Sequence, residues 1–277
     1  MIKLPKYFFA ILFLTLGLTS CSNQGTIPGR AFEGKITQVV KVPGIAMLAK
    51  IRSGDTSINT EGSDQLGGIL GAAANLTIVM YAREDRVAYD VSALGGLAKA
   101  RSIVNRGSRT LTMLLPGNNA VVTNLRSVMD TLKDKLNDSI KEHHAQLDSI
   151  AEVLPKPTGK KMTIKNMEAE EYIGKYQGMD VRMWITQDPR MKFYDIMRDA
   201  FLGRVRTGES GIEEAFDLFA PLAGNGKFPL KVEMTFNGKP ILSSEVTDIE
   251  EEKVEDSIFE IPSGYKITNT EEMSKKH

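Results

Sequence analysis

The sequence predicts an α+β fold, an antiparallel sheet with helices laid on one of its faces. Three observations lead there. Runs with a two-residue apolar period recur along the chain and mark half-buried strands. Turn signals at Pro116-Gly117-Asn118-Asn119 and at Asn237-Gly238 join such runs as hairpins. Other stretches carry apolar residues three or four apart, the spacing of a helix face.

In chain order, Phe32, Gly34, Ile36, Gln38, Val40 and Val42 alternate with Glu33, Lys35, Thr37 and Lys41, with Val39 the exception, and predict the first strand. The glycine-rich "SGDTSINTEGSDQLGGILGAAA" reads as a loop, with Leu66 to Ala74 a small apolar lid. "NLTIVMYA" places Leu76, Ile78 and Met80 on one strand face, and "RVAYDV" places Val87, Tyr89 and Val91 together. "RTLTMLLPGNNAVVTNL" is the first hairpin. From Arg126 to Glu152, Met129, Leu132, Leu136, Ile140, Leu147 and Ile150 predict a long helix that Pro155 and Pro157 end. "KMTIKNMEAEEYIGKYQGMDVRMWIT" offers three strands broken near Ala169 and Gly178. Pro189 to Val205 and Ile212 to Leu222 predict two further helices. In "FPLKVEMTF", Phe228, Leu230, Val232, Met234 and Phe236 face one way and Lys231, Glu233 and Thr235 the other; "KPILSSEVTDIEE" follows as its partner.

The N-terminal residues carry a separate message. Lys3 and Lys6 precede an apolar run from Tyr7 to Leu18, too short to span a bilayer as a helix, which takes about 20 residues. This is the layout of a secretory signal peptide. Leu18-Thr19-Ser20-Cys21 resembles the bacterial lipobox, so Cys21 is expected to become the lipidated N-terminus after cleavage. It is the only cysteine in the sequence, which leaves no disulfide within the chain. The expected organisation is a signal peptide over 1–20, a lipidated tether over 21–30, one sheet domain over 31–267 and a flexible tail over 268–277. Ser22, where an acidic residue would favour the inner membrane, points to the outer membrane facing the periplasm.

Three stretches, "AFEGKITQ", "EEYIGKYQGMDVRMWITQD" and "FPLKVEM" continuing to "EVTDIEEEKVEDSIFEIPSGYKI", resemble the bacterial domain-of-unknown-function family 4412 over roughly Ala31 to Ile267. The resemblance implies a fold similar to the lipoprotein-localisation factors: a strongly curved antiparallel sheet, an incomplete barrel, with helices on the concave face. No catalytic residue is known for that family, so the resemblance assigns none. Its ending has its own physical reading. Phe259 and Ile261 share a face and pin a last strand, Pro262 suits that strand's end, and Gly264 permits the turn before Tyr265.

Composition and motifs narrow the function. Residues 1–20 hold two lysines and no acid, so the remaining 257 carry 33 basic against 35 acidic side chains. That balance is no footprint for nucleic acid. His143 falls on the long helix's apolar stripe, His277 is terminal, and His144 with Asp148 makes a pair where zinc takes three or four ligands. No Gly-x-Ser-x-Gly elbow and no phosphate loop with its lysine occurs. The run Glu250-Glu251-Glu252 reads as a solvated turn or strand edge. The expectation is therefore a lipid-anchored envelope protein, not an enzyme, without metal or cofactor. Its partners would be the membrane, through Cys21, and an apolar ligand such as a lipid or acyl chain. Met80, Met113, Met183 and Met234 are the candidate ligand-binding residues, because methionine adapts its shape, with Trp184 lining a cavity or capping a sheet edge. The rival expectation is a structural or assembly protein whose concavity is filled by its own helices.

Overall fold

The computed structural model describes residues 31–43, 75–126, 154–176, 179–193 and 226–270, with single positions 196, 200 and 222. Twelve strands account for most of them: β1 (Gly34–Lys41), β2 (Asn75–Arg83), β3 (Arg86–Ala93), β4 (Ala98–Asn105), β5 (Thr110–Leu115), β6 (Asn119–Asn124), β7 (Lys156–Ile164), β8 (Met167–Tyr176), β9 (Met179–Gln187), β10 (Lys227–Phe236), β11 (Lys239–Glu251) and β12 (Lys266–Asn269). All lie in one open sheet, in the order β12-β6-β5-β4-β3-β2-β1-β11-β10-β9-β8-β7. Two meanders, β2 to β6 and β7 to β11, meet at β1, which pairs antiparallel with β2 on one side and β11 on the other. Among the described strands only β12, laid parallel on β6, breaks the antiparallel pattern.

This corrects the α+β expectation. Among the described residues no helix reaches seven residues, and no helix lies on a concave face. The residues whose spacing predicted helices, 126–152, 189–205 and 212–222, fall largely outside the described residues. So do the predicted lid, Cys21 and all three histidines.

Local chemistry explains the turns. Asn237 (φ 50°) and Gly238 (φ 73°) both take the left-handed conformation that a two-residue hairpin turn requires. Lys165 (φ 48°) and Asn166 (φ 61°) do the same between β7 and β8, so the break predicted near Ala169 falls earlier and Ala169 is buried within β8. The edge strand β7 is exposed along nearly its whole length. Lys156, Lys160, Lys161, Pro157 and a register shift at this edge discourage pairing with another chain.

The sheet buries both faces, by different means. On one face a single apolar cluster joins Val87 and Val104 to Ile78 and Met80, Ile36 and Val40, Val246, Leu230 and Val232, Met183 and Tyr172. Cross-strand register carries it: Tyr172 pairs with Met183, Met183 with Val232, Val232 with Ser244, Ser244 with Val40, and Val40 with Leu76. Fully burying each such side chain contributes roughly 1.5–3 kcal/mol. Gln38 shares this face and donates its side-chain amide to Ser244 Oγ at 2.6 Å, so neither buried polar group is left unpaired. Burial raises the pKa of the Tyr89 hydroxyl. Met191, Phe193, Ile196, Ala200 and Leu222 pack onto the same cluster, with Phe193 edge-on to Phe32 and Phe228 at 5.6 and 5.5 Å.

On the other face a smaller cluster of Ala88, Ile103, Leu114 and Ala120 is covered by Val254 and Phe259, with Ile258, Ile261 and Tyr265 at its margin. The segment 252–265 thus crosses this face as a strap. Phe259 and Ile261 pin the chain as the sequence implies, but through a 3-10 turn at Asp256–Phe259 rather than a strand. Gly264 (φ 85°) makes the expected turn, and the last strand starts only at Lys266.

The end of β9 ties the meander to β1 and β11. Asp188 N–H donates to the Gly226 carbonyl at 2.8 Å, Phe32 N–H donates to the Arg190 carbonyl, and Arg190 pairs with Asp188 at 2.6 Å and Glu251 at 2.8 Å. Hydrogen bonding from the Arg190 guanidinium holds the Asp188 carboxyl below the usual carboxylate range. A carboxyl lowered in the folded state contributes stability that is full above its unfolded pKa, about 3.9, and lost as pH falls through the folded value. Arg190→Leu is therefore expected to lower Tm at neutral pH, with the gap to wild type narrowing below about pH 4. Thermal melts across that range measure it, and a gap independent of pH would refute the assignment.

Candidate functional site

The methionine positions do not converge on a cavity. Met80, Met183 and Met234 are 6%, 2% and 6% exposed and fill the large cluster as core residues. Met113 is half-buried on β5, opposite Ser102 and Val121. Trp184 lies on the opposite face from Met183, paired with Glu171 and Lys231, and is half-buried. Its neighbour Glu171 is nearly buried yet well partnered: Thr158 Oγ1 donates to it at 2.9 Å, and Arg182 and Lys160 lie 3.2 and 3.6 Å away. None of the five residues lines either groove described next.

The first groove, of about 760 Å³, lies on the strap side of the sheet. Its floor is two cross-strand rows. Asp90, Arg101 and Leu114 form one with Val79, and Ser92 with Lys99 forms the next. Its walls are the 94–97 turn with Leu97, the 116–118 turn after Leu115, and Pro262 and Tyr265 of the strap. The two turns sit at the same end of the sheet because β4 begins beside the end of β5, and Lys266 N–H bonds the Asn118 carbonyl at 2.8 Å, drawing the strap's end to them. Leu97 is 89% exposed and Leu115 37%, so both rims present large apolar side chains to solvent.

Arg101 closes on Asp90 through two parallel bonds, Nε to Oδ1 at 2.5 Å and Nη2 to Oδ2 at 2.7 Å, and its Nη1 reaches the Ile258 carbonyl at 3.5 Å. The hydrogen bond to Asp90 raises the Arg101 pKa, and the charged fork favours this two-bond geometry. This clamp orients the groove floor against the strap.

The second groove, of about 420 Å³, lies between β8, β9 and the 188–190 corner. Its lining is mostly polar, and most of its charged side chains have partners. Lys161 pairs with Glu168 at 2.7 Å, Arg190 with Asp188, and Lys227 stands 5.4 Å over the Tyr172 ring. Small-ligand sites combine apolar lining with a few polar groups, and the first groove fits that description better.

The groove residues leave a faint trace in sequence. Ala98-Lys99-Ala100-Arg101 alternates small and basic side chains, and a leucine following Gly95-Gly96 has nothing local to bury it.

No known protein family and no curated protein matches the chain. Among solved structures it is similar to PNGF-II in its C2 crystal form, at 15% identity and a TM-score of 0.38, over 89% of this chain and 32% of that one. The P21 form of PNGF-II gives 14% identity and 0.37, over 88% and 33%. The chain thus spans about a third of the length of PNGF-II. An uncharacterized conserved protein from Thermus thermophilus is 10% identical, with a TM-score of 0.38, over 86% of this chain and 91% of that one. Likenesses at this level carry no argument about activity.

Proposed function

We propose that this is a lipid-anchored envelope protein that binds an apolar ligand, a lipid or acyl chain, without chemical conversion, and that the groove beneath the strap is the seat of that ligand. The anchor rests on the order of charge, apolar run, small residues and Cys21 in the sequence. The ligand rests on one observation above all: a groove of about 760 Å³ floored by Val79 and Leu114 and rimmed by exposed Leu97 and Leu115. That volume lies within the roughly 300–1,000 Å³ of small-molecule sites. The methionine face does not take this role, since its methionines are already packed.

A fluorescent fatty acid is expected to bind the purified protein saturably. Leu115→Asp, at an exposed position, is expected to weaken that binding about tenfold or more, by removing about 1.5–3 kcal/mol of side-chain burial, and to leave Tm unchanged. Equal affinity in the variant would remove the ligand from this groove. A second reading, an envelope structural protein with no ligand, draws on the packing of Met191, Phe193 and Leu222 over the large cluster. Failure of the probe to saturate would favour it.

A further inference from the structure

Resting on the groove reading above, we infer that the ligand is a single-chain amphiphile with an anionic head, and that Lys99 reads the head. Three charged side chains line the groove, the cations Lys99 and Arg101 and the carboxylate Asp90. They leave a net charge of +1. Asp90 and Arg101 are spent on each other through their two-bond clamp, and Arg101 also reaches the strap carbonyl of Ile258. Lys99 is different. It is exposed, it has no ion-pair partner among the described residues, and it stands two residues from Arg101 on the same face of β4. Ser92 lies directly across from it on β3, with its hydroxyl donating to the Thr77 carbonyl at 3.4 Å, so Lys99 is the groove's cation left for an anionic head.

The groove's charged and hydroxyl side chains lie toward β3 and β4, with Leu97 beside them, and the rest of its large apolar lining lies mostly toward β5 and the strap. The β3–β4 side offers Lys99. The β5 and strap side offers Leu114, Leu115, Pro116, Pro262 and Tyr265. An acyl chain laid against the second side brings its head to the first. A lysine is a compact point charge with three donors, so it accepts a carboxylate or a phosphate without the planar geometry an arginine fork demands. A cationic head would meet an uncompensated positive charge, and a neutral head would leave that charge unused.

The test is titration calorimetry of the purified full chain with three probes below their aggregation concentrations: oleate, 1-oleoyl lysophosphatidate and the neutral 1-oleoylglycerol. An exposed ion pair contributes up to about 1 kcal/mol, so at low salt at least one anionic probe is expected to bind about fivefold tighter than the neutral one. The preference should shrink as salt rises. Lys99→Glu should abolish or invert it, and Lys99→Arg should retain it, each with Tm unchanged. Which anionic probe binds tighter identifies the head as carboxylate or phosphate. Equal binding of all three probes, unaltered in Lys99→Glu, would overturn the anionic head while keeping the apolar groove. Binding of none would overturn both.

Discussion

Gly226→Val is expected to lower Tm by roughly 10 °C or to prevent folding. Gly226 is buried where the chain enters β10, with φ at 74°, a conformation L side chains rarely adopt. A Cβ built there would stand 2.0 Å from the Asp188 carbonyl oxygen, 2.5 Å from its carbon and 2.7 Å from Pro189 Cα. All three are backbone atoms, so no side-chain rotation relieves the clash. The same pair of residues is held by the Asp188 N–H to Gly226 carbonyl bond, and Asp188 in turn holds Arg190. Backbone strain of about 1–3 kcal/mol and overpacking of about 1–3 kcal/mol both fall on this one site. Together they consume a large share of the roughly 5–15 kcal/mol that a domain typically has. For a chain of this size each kcal/mol moves Tm by about 2–4 °C. Circular dichroism melts decide it; a Tm within about 2 °C of wild type, less than about 1 kcal/mol by the same conversion, would show that the corner is not held as described.

Phe259→Ala is expected to destabilise the protein by about 3 kcal/mol, in the range for buried aromatic truncation, and also to weaken ligand binding. Phe259 is the strap's deepest aromatic, 9% exposed, set against the cluster of Ala88, Ile103, Leu114 and Ala120. The Arg86 guanidinium sits 5.6 Å above its ring. The strap's ties ahead of Phe259 are Val254, buried in the same cluster, the pair of Arg83 with Asp256, and the N–H groups of Glu252 and Val254 on the carbonyl and carboxylate of Glu33, both at 3.2 Å. Without the ring, those ties hold one end while Ile261, Pro262 and Tyr265 lose their seat. Since Pro262 and Tyr265 wall the groove, fatty-acid affinity should fall with stability, and proteolysis between residues 252 and 265 should rise. Lost stability with unaltered affinity at a temperature where the variant is folded would separate the strap from the groove.

Much of the sheet is legible in the sequence because its strands have one face against a large cluster and the other more open. That condition yields clean alternation in Ile36 to Val40, Ile78 to Ala82 and Val181 to Ile185, and the structure buries those sides. Where the condition fails, the signal fails. In β4 the first residues, Ala98 to Ala100, are exposed, and only Ile103 and Val104 are buried, on opposite faces, so no alternation survives. Lys266 to Asn269 form a short, largely exposed strand held by parallel pairing to β6, a non-local contact. The anchoring roles of Phe259 and Ile261 are legible but their backbone is not, because apolar side chains two apart serve a strap as well as a strand. The candidate site is the least legible part. Adaptable methionines point to the methionine face, yet a residue that fills gaps well is as useful in a closed core, and that is where Met80, Met183 and Met234 stand. The groove depends on two turns and a strap brought together by register, which no local pattern encodes.

The central claim is the place of the ligand, and a crystal structure of the protein with a fatty acid brominated near its methyl end tests it most directly. Anomalous scattering from bromine should place the chain against Leu114, Pro262 and Tyr265, with the head at Lys99. Bromine among Met80, Met183 and Met234, or none at saturating fatty acid, would contradict it.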